Sequence, residues 1–87
     1  MNLTVHFLEP KKIRLILTED DKIFDTLDFS FSINLDTLLI ETVDKFLKKN
    51  RIEPLSLHRI TVAGDVDKNS SAYTVVKTWI SAVEGFN

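Results

Sequence analysis

The feature that most constrains the fold is a strand, a polar loop and an amphipathic helix near the carboxyl end. Segment 57–64 reads as a strand, and segment 72–84 carries apolar residues at a helical spacing. Ser70 or Ser71 can cap this helix, because a hydroxyl there accepts a free backbone N–H. Gly85–Phe86 can end it, with the glycine left-handed and the phenylalanine folded back onto the last turn. Such a unit needs earlier elements to pack on.

Three alternating segments supply those elements. Leu3–Leu8, Ile13–Leu17 and Ile23–Phe31 each alternate apolar and polar residues, which predicts half-buried strands joined by polar turns. The residues of the third strand expected to face inward are Ile23, Leu27, Phe29 and Phe31. Asp25 breaks this alternation, and we expect it near a frayed start of the strand.

A first helix is predicted to follow these strands. Asn34 is suited to the N-cap, and Ile33 and Leu38 can form a hydrophobic staple around it. The basic run Lys48–Arg51 complements the negative end of the helix dipole, and Pro54 lies beyond the end. The apolar stripe consists of Leu35, Leu38, Leu39, Val43, Phe46 and Leu47.

The predicted fold class is α/β, with the element order βββαβα in a single domain of residues 1–87. A three-stranded meander followed by a right-handed crossover to a parallel strand gives a mixed four-stranded sheet in the order 3-2-1-4, with two helices on one face. The opposite face should then be largely polar and wet. Its expected members are Thr4, His6, Arg14, Ile16, Thr26, Asp28, Arg59 and Thr61.

Composition narrows the function classes. With 11 basic and 13 acidic residues, no strongly basic face for binding a nucleic-acid backbone is expected. The chain has no cysteine, which excludes disulfides, thiolate metal sites and thiol catalysis. No signal peptide or long apolar run is evident, so we expect a cytoplasmic protein without membrane contact. Nothing in the sequence calls for a cofactor.

The element order resembles the ribonuclease H-like, actin/Hsp70-type half domain. Within that group the chain resembles the amino-terminal domain of the tRNA threonylcarbamoyladenosine biosynthesis protein TsaB (YeaZ) family. Residues 71–77, SAYTVVK, are similar to the family's GSFTGLR signature, and they follow a strand that ends in Gly64. Residues 38–47 are similar to the Leu-Leu-Pro-x-Ile/Val-x-x-Leu-Leu segment of the family's first helix.

The chain also departs from that family. The family's first turn carries Asp-Thr-Ser, whereas here it is the shorter Leu8–Lys11. Polar residues of 65–70 replace the glycines of the family's second loop, which removes a cradle of backbone N–H groups for phosphate. Whether a nucleotide still binds stays open at this point.

The resemblance implies a non-catalytic subunit. TsaB-like proteins pair with the threonylcarbamoyl transferase TsaD through the two helices of this domain, so a TsaD-like transferase or a second copy in a homodimer is the expected partner. The expected interface consists of Thr37, Ile40, Glu41, Asp44, Tyr73, Thr74, Lys77 and Ser81. Ile40 and Tyr73 would be central anchors, and we expect Tyr73→Ala to weaken association by roughly 1–3 kcal/mol.

Two alternatives remain. One is a divergent ribonuclease H-like hydrolase that uses Asp28, Asp25 and Glu9 with Mg²⁺, although that class needs an aspartate in the first strand, where this chain has Val5-His6-Phe7. The other is an adaptor that uses the open sheet face. The residues assigned to that adaptor surface are His6, Arg14, Asp28 and Arg59.

Overall fold

The computed structural model describes residues 1–84 and confirms an α/β fold of order βββαβα. A short 3₁₀ turn at Pro54–Ser56 follows the first helix. The predictions for Gly85 and Phe86 lie outside the described residues. The elements are β1 (Asn2–Glu9), β2 (Lys12–Glu19), β3 (Lys22–Ser30), α1 (Leu35–Lys49), β4 (Arg59–Gly64) and α2 (Ser71–Glu84).

The sheet has the predicted order β3-β2-β1-β4. Strand β1 pairs antiparallel with β2 and parallel with β4, so that Val5 lies beside both Leu15 and Val62. Strand β4 begins at Arg59, two residues later than predicted, because Leu57 and His58 lead into it; His58 N–H still donates to Met1 O at 2.8 Å. The sheet therefore has two inner strands, β2 and β1, and β1 joins the antiparallel part to the parallel strand β4.

One apolar core lies between the sheet and both helices. Alternate residues of β1 and β2 are fully buried, as period-two alternation requires. The predicted α1 stripe is confirmed, since five of its six members are buried. In α2, Val76 and Ile80 are buried in the same core. The two helices thus cover the same face of the sheet and lie side by side on it.

Strand β3 corrects two predictions. A register shift between Leu17 and Thr18 pairs Leu17 with Asp25 but Thr18 with Ile23, which marks a β-bulge at Phe24. Ile23 was expected to face the core and instead is 67% exposed. Asp25 is not at a frayed end: it lies inside β3, across from buried Leu17, and therefore on the helix-covered face.

The starts of the two helices differ from each other. Asn34 occupies the N-cap position of α1, but with φ 55° and ψ 41° it is left-handed and its side chain makes no capping hydrogen bond. Ile33 is 76% exposed and so forms no effective staple with Leu38. At α2 the prediction is confirmed, because Ser70 Oγ accepts a hydrogen bond from Tyr73 N–H at 3.2 Å.

Candidate protein interface between the helices

An apolar groove runs between the outer sides of α1 and α2. It consists of two adjoining depressions, of about 480 Å³ and about 330 Å³, which share Asp36 and Val75 in their walls. The larger opens where both helices begin, next to Phe31 and Ala72. The smaller continues along the helices and is lined by Ile40, Thr74, Thr78, Trp79 and Ala82 as well. We call the two together the inter-helix groove.

Helical periodicity explains which side chains reach this groove. Residues four apart lie on one face of a helix, so Asp36 and Ile40 form one wall row of α1. Thr74, Thr78 and Ala82 form the corresponding row of α2. Ile40 lies off the apolar stripe of α1 and is 55% exposed, whereas the stripe itself is largely buried. An exposed isoleucine beside an apolar groove is a feature of protein-binding surfaces.

The structure divides the eight predicted interface residues into three groups. Ile40 and Thr74 line the groove, and Asp44 continues the row of Ile40, where it forms an ion pair with Lys48 at 2.9 Å. Thr37 and Glu41 are exposed on the next row of α1, about 100° around its axis. The third group lies on the flank of α2 opposite the groove-lining Val75 and Trp79, and it consists of Tyr73, Lys77 and Ser81.

Trp79 is the residue that sequence reasoning assigned differently. Its helical spacing from Val75, Val76 and Ile80 predicts a core residue, and it does pack against the core. It is nevertheless only partly buried, and it also lines the groove. Helical spacing alone does not predict this exposure, because the distance between α1 and α2 determines how much of the Trp79 indole is covered. Tyr73 lies off this spacing, and it is nevertheless half-buried.

The carboxylates of the alternative hydrolase do not come together. Asp25 lies on the helix-covered face of β3, whereas Asp28, three residues later, lies on the open face. Glu9 lies at the β1–β2 turn, paired with Lys12, and its strand β1 is separated from β3 by β2. Within residues 1–84, no three histidine, cysteine or acidic side chains are grouped so that they could hold a metal ion.

On the open face, Arg14 and Asp28 form a bidentate ion pair. Arg14 Nε lies 2.6 Å from Asp28 Oδ1, and the second guanidinium bond, to Oδ2, measures 2.9 Å. The hydrogen bond to Arg14 lowers the pKa of Asp28 and raises that of Arg14. His6 lies beside Arg14 in the neighbouring strand. Two of the residues assigned to an adaptor surface therefore already satisfy each other.

Asp25 joins β3 to the end of α1. Its carboxylate accepts hydrogen bonds from Asn50 Nδ2 at 3.1 Å and from Thr26 N–H at 2.8 Å, and Lys49 Nζ lies 3.5 Å away. The Asn50 hydrogen bond is the main reason that the pKa of Asp25 is lowered, and partial burial opposes it. Asp25 therefore favours its charged form in the folded protein.

We expect the two lowered carboxylate pKa values to make the fold acid-sensitive. Because the pKa values of Asp25 and Asp28 are lower when folded than when unfolded, their stabilisation is complete above the unfolded value of about 3.9 and disappears as the pH falls through the folded values. Asp25→Asn should flatten the decline of the melting temperature between neutral pH and about pH 2. Glu84→Gln, on the exposed end of α2, is the control. An unchanged acid limb in Asp25→Asn contradicts this role.

Residues 1–84 contain no helix that is long and apolar enough to cross a membrane. No family model and no curated protein sequence matches this chain.

Proposed function

We propose that this chain is a non-catalytic partner subunit that binds another protein through the outer sides of α1 and α2. The observation that carries the proposal is the inter-helix groove, in which exposed Ile40 of α1 and partly buried Trp79 of α2 both line an apolar depression of about 330 Å³. Interfaces of this kind place an aromatic and an aliphatic anchor at the centre and charged residues at the rim.

The charges around the groove fit such a rim. Asp36 lies in the wall shared by its two parts, and the Asp44–Lys48 pair lies further along α1. Exposed ion pairs of this kind contribute little to stability and are free to exchange partners on binding. A partner that brings apolar side chains to Ile40 and Trp79 would then be oriented by these rim charges.

The identity of the partner rests on the resemblance of 38–47 and 71–77 to the TsaB family. It suggests a TsaD-like threonylcarbamoyl transferase in tRNA modification, in the cytoplasm, or else a second copy of this chain. The test is size-exclusion chromatography with light scattering, first of the chain alone and then of the chain mixed with a TsaD-like protein from the same source. A monomer that forms no mixed complex removes this partner.

We expect Ile40→Ala to weaken that association by roughly 1–3 kcal/mol, because it removes an anchor from the centre of the groove. The fold should be unaffected, since Ile40 is exposed and alanine favours helix. Titration calorimetry of the mixed complex measures the change. Leu55→Ala is a matched control, because Leu55 has the same 55% exposure but lies in the 3₁₀ turn. Equal binding by Ile40→Ala and the unaltered chain would place the interface elsewhere.

Tyr73→Ala separates the two sides of α2. Tyr73 lies on the flank opposite the groove, so an interface centred on the groove predicts a smaller effect than that of Ile40→Ala. A larger effect of Tyr73→Ala would shift the interface to the flank that also carries Lys77 and Ser81.

A further inference from the structure

The β2–β3 hairpin ends in an exposed apolar pair that the groove does not include. Ile23 is 67% exposed and Phe24 is 55% exposed. They line a depression of about 370 Å³ together with Glu19, Asp20 and Lys22. We call residues 19–24 the hairpin tip. It lies near the carboxyl end of α1, because neighbouring Asp25 binds Asn50, whereas the groove opens at the start of this 15-residue helix. About 15 Å of helix lies between Ile40, which lines the groove, and Asn50 near the tip.

The bulge at Phe24 is what exposes Ile23. Without the extra residue, the alternation of β3 would direct Ile23 toward the helix-covered face. The bulge instead pairs Ile23 with Thr18, which lies on the open face, and leaves a large aliphatic side chain in water. Bulges that redirect a side chain are characteristic of functional edges, and a local pattern that the fold overrides is expected at a functional site.

The charge at the tip is strongly acidic for its size. Glu19, Asp20 and Asp21 stand next to a single Lys22, so these four residues carry a net charge of −2, as much as the whole chain. All four side chains are exposed. A ligand that covers Ile23 and Phe24 must therefore place its own charges beside this acidic rim, and cations are favoured there.

We propose that the hairpin tip is a docking site for a short segment of a partner protein that alternates apolar residues with lysine or arginine. The apolar residues cover Ile23 and Phe24, and the basic residues pair with Glu19, Asp20 and Asp21. This contact is independent of the inter-helix groove, so one protein can occupy each surface.

A second copy of the chain does not fit this site. Two tips that met would bring net charges of −2 together, and like charges across an interface are unfavourable. Pairing between two β3 edges is also obstructed. Phe31 N–H donates to Lys11 O, and successive residues of β3 alternate between bonding β2 and pointing their backbone groups to the free edge. Thr26 N–H therefore points to the free edge, but it already donates to Asp25 Oδ1 and is not available to a second strand. Anionic lipid is disfavoured by the same acidic charge.

The test uses the full ¹⁵N-labelled chain and a capped hexapeptide that alternates lysine and leucine, with its glutamate–leucine counterpart as the reference. We expect amide shifts confined to residues 19–24 and binding of the lysine peptide at least about tenfold tighter than that of the glutamate peptide. Absence of shifts at the tip with millimolar lysine peptide, or equal binding of both peptides, overturns the proposal. So does binding to vesicles of equal phosphatidylglycerol and phosphatidylcholine without binding of the peptide.

Variants distinguish binding at the hairpin tip from non-specific binding to exposed apolar residues. Ile23→Thr with Phe24→Ser should weaken peptide binding at least about tenfold, whereas Leu55→Ser, equally exposed elsewhere, should not change it. Equal losses in these two variants overturn the proposal.

The turn supplies a variant that cannot act by unfolding. Asp20 and Asp21 both have positive φ, 52° and 66°, in a two-residue hairpin loop that favours Asn-Gly. Asp20→Asn with Asp21→Gly should therefore raise the melting temperature while it weakens binding of the lysine peptide. A stabilised variant that binds the peptide as tightly as the unaltered chain counts against the charged rim.

Discussion

Phe46→Ala is expected to lower the free energy of unfolding by about 3–5 kcal/mol, the usual cost of deleting a large buried aromatic side chain. Phe46 is 2% exposed and belongs to the core between α1 and the sheet. A chain of 87 residues has roughly 4–13 kcal/mol of stability in total, so this single change removes a large share of it. Urea unfolding followed by circular dichroism gives the midpoint and the slope.

Phe24→Ala is the matched control for that experiment, because it deletes the same side chain from an exposed position. Phe24 is 55% exposed, and we expect its removal to change stability by less than about 1 kcal/mol. Comparable losses in the two variants would mean that Phe46 is not in the core. A small effect of Phe24→Ala would also show that the hairpin tip can be altered without unfolding the chain, so that lost peptide binding is not caused by lost stability.

Alternation in the strands and helical spacing in the helices were sufficient to predict the architecture, because each pattern arises when an element buries one face. Val5 and Leu15 are fully buried at alternate positions of their strands, and Leu39 is fully buried in its helical stripe. The strand order follows from the position of α1 between a meander and a fourth strand, for which a parallel crossover leaves few topologies. These signals are repeated many times along the chain, so single exceptions do not obscure them.

The exceptions have local physical causes that no periodicity contains. A bulge adds one residue at Phe24 and thereby reverses the facing of Ile23, which a strict alternation cannot anticipate. Asn34 was expected to cap α1 with its side chain, but asparagine also tolerates the left-handed conformation that it adopts here. Both residues lie at element boundaries, where several local conformations compete at similar energy.

The candidate interface was only partly predictable for a different reason. Helical periodicity separated Ile40 from the buried stripe, and the structure places it in the groove. It could not show that Trp79 also lines the groove or that Tyr73 lies on the other flank, because both depend on how α2 is rotated against α1. Rotation about a helix axis is set by packing against the neighbouring helix, which a single sequence does not display.

Gly64→Ala is expected to destabilise the protein by about 2–6 kcal/mol, the sum of backbone strain and a steric clash. Gly64 has φ +99°, a conformation that residues with a side chain rarely adopt. A Cβ atom there would clash with Phe7 O and stand 2.8 Å from Phe7 N, and both are backbone atoms of the inner strand β1. They cannot move without disturbing β1, so the change should weaken the pairing of β4 with β1.

The residue after Gly64 also binds β1. Asp65 N–H donates to Phe7 O at 3.1 Å, which holds the chain against β1 just before the loop that leads to Ser70. Asp65→Ala keeps this backbone bond and should change stability by less than about 0.5 kcal/mol, so it is the control. Thermal unfolding is the measurement, with a drop of at least about 8 °C expected for Gly64→Ala. An equal melting temperature in the two variants would show that β1 and β4 do not approach this closely, and the placement of α2 beside the groove would have to be revised.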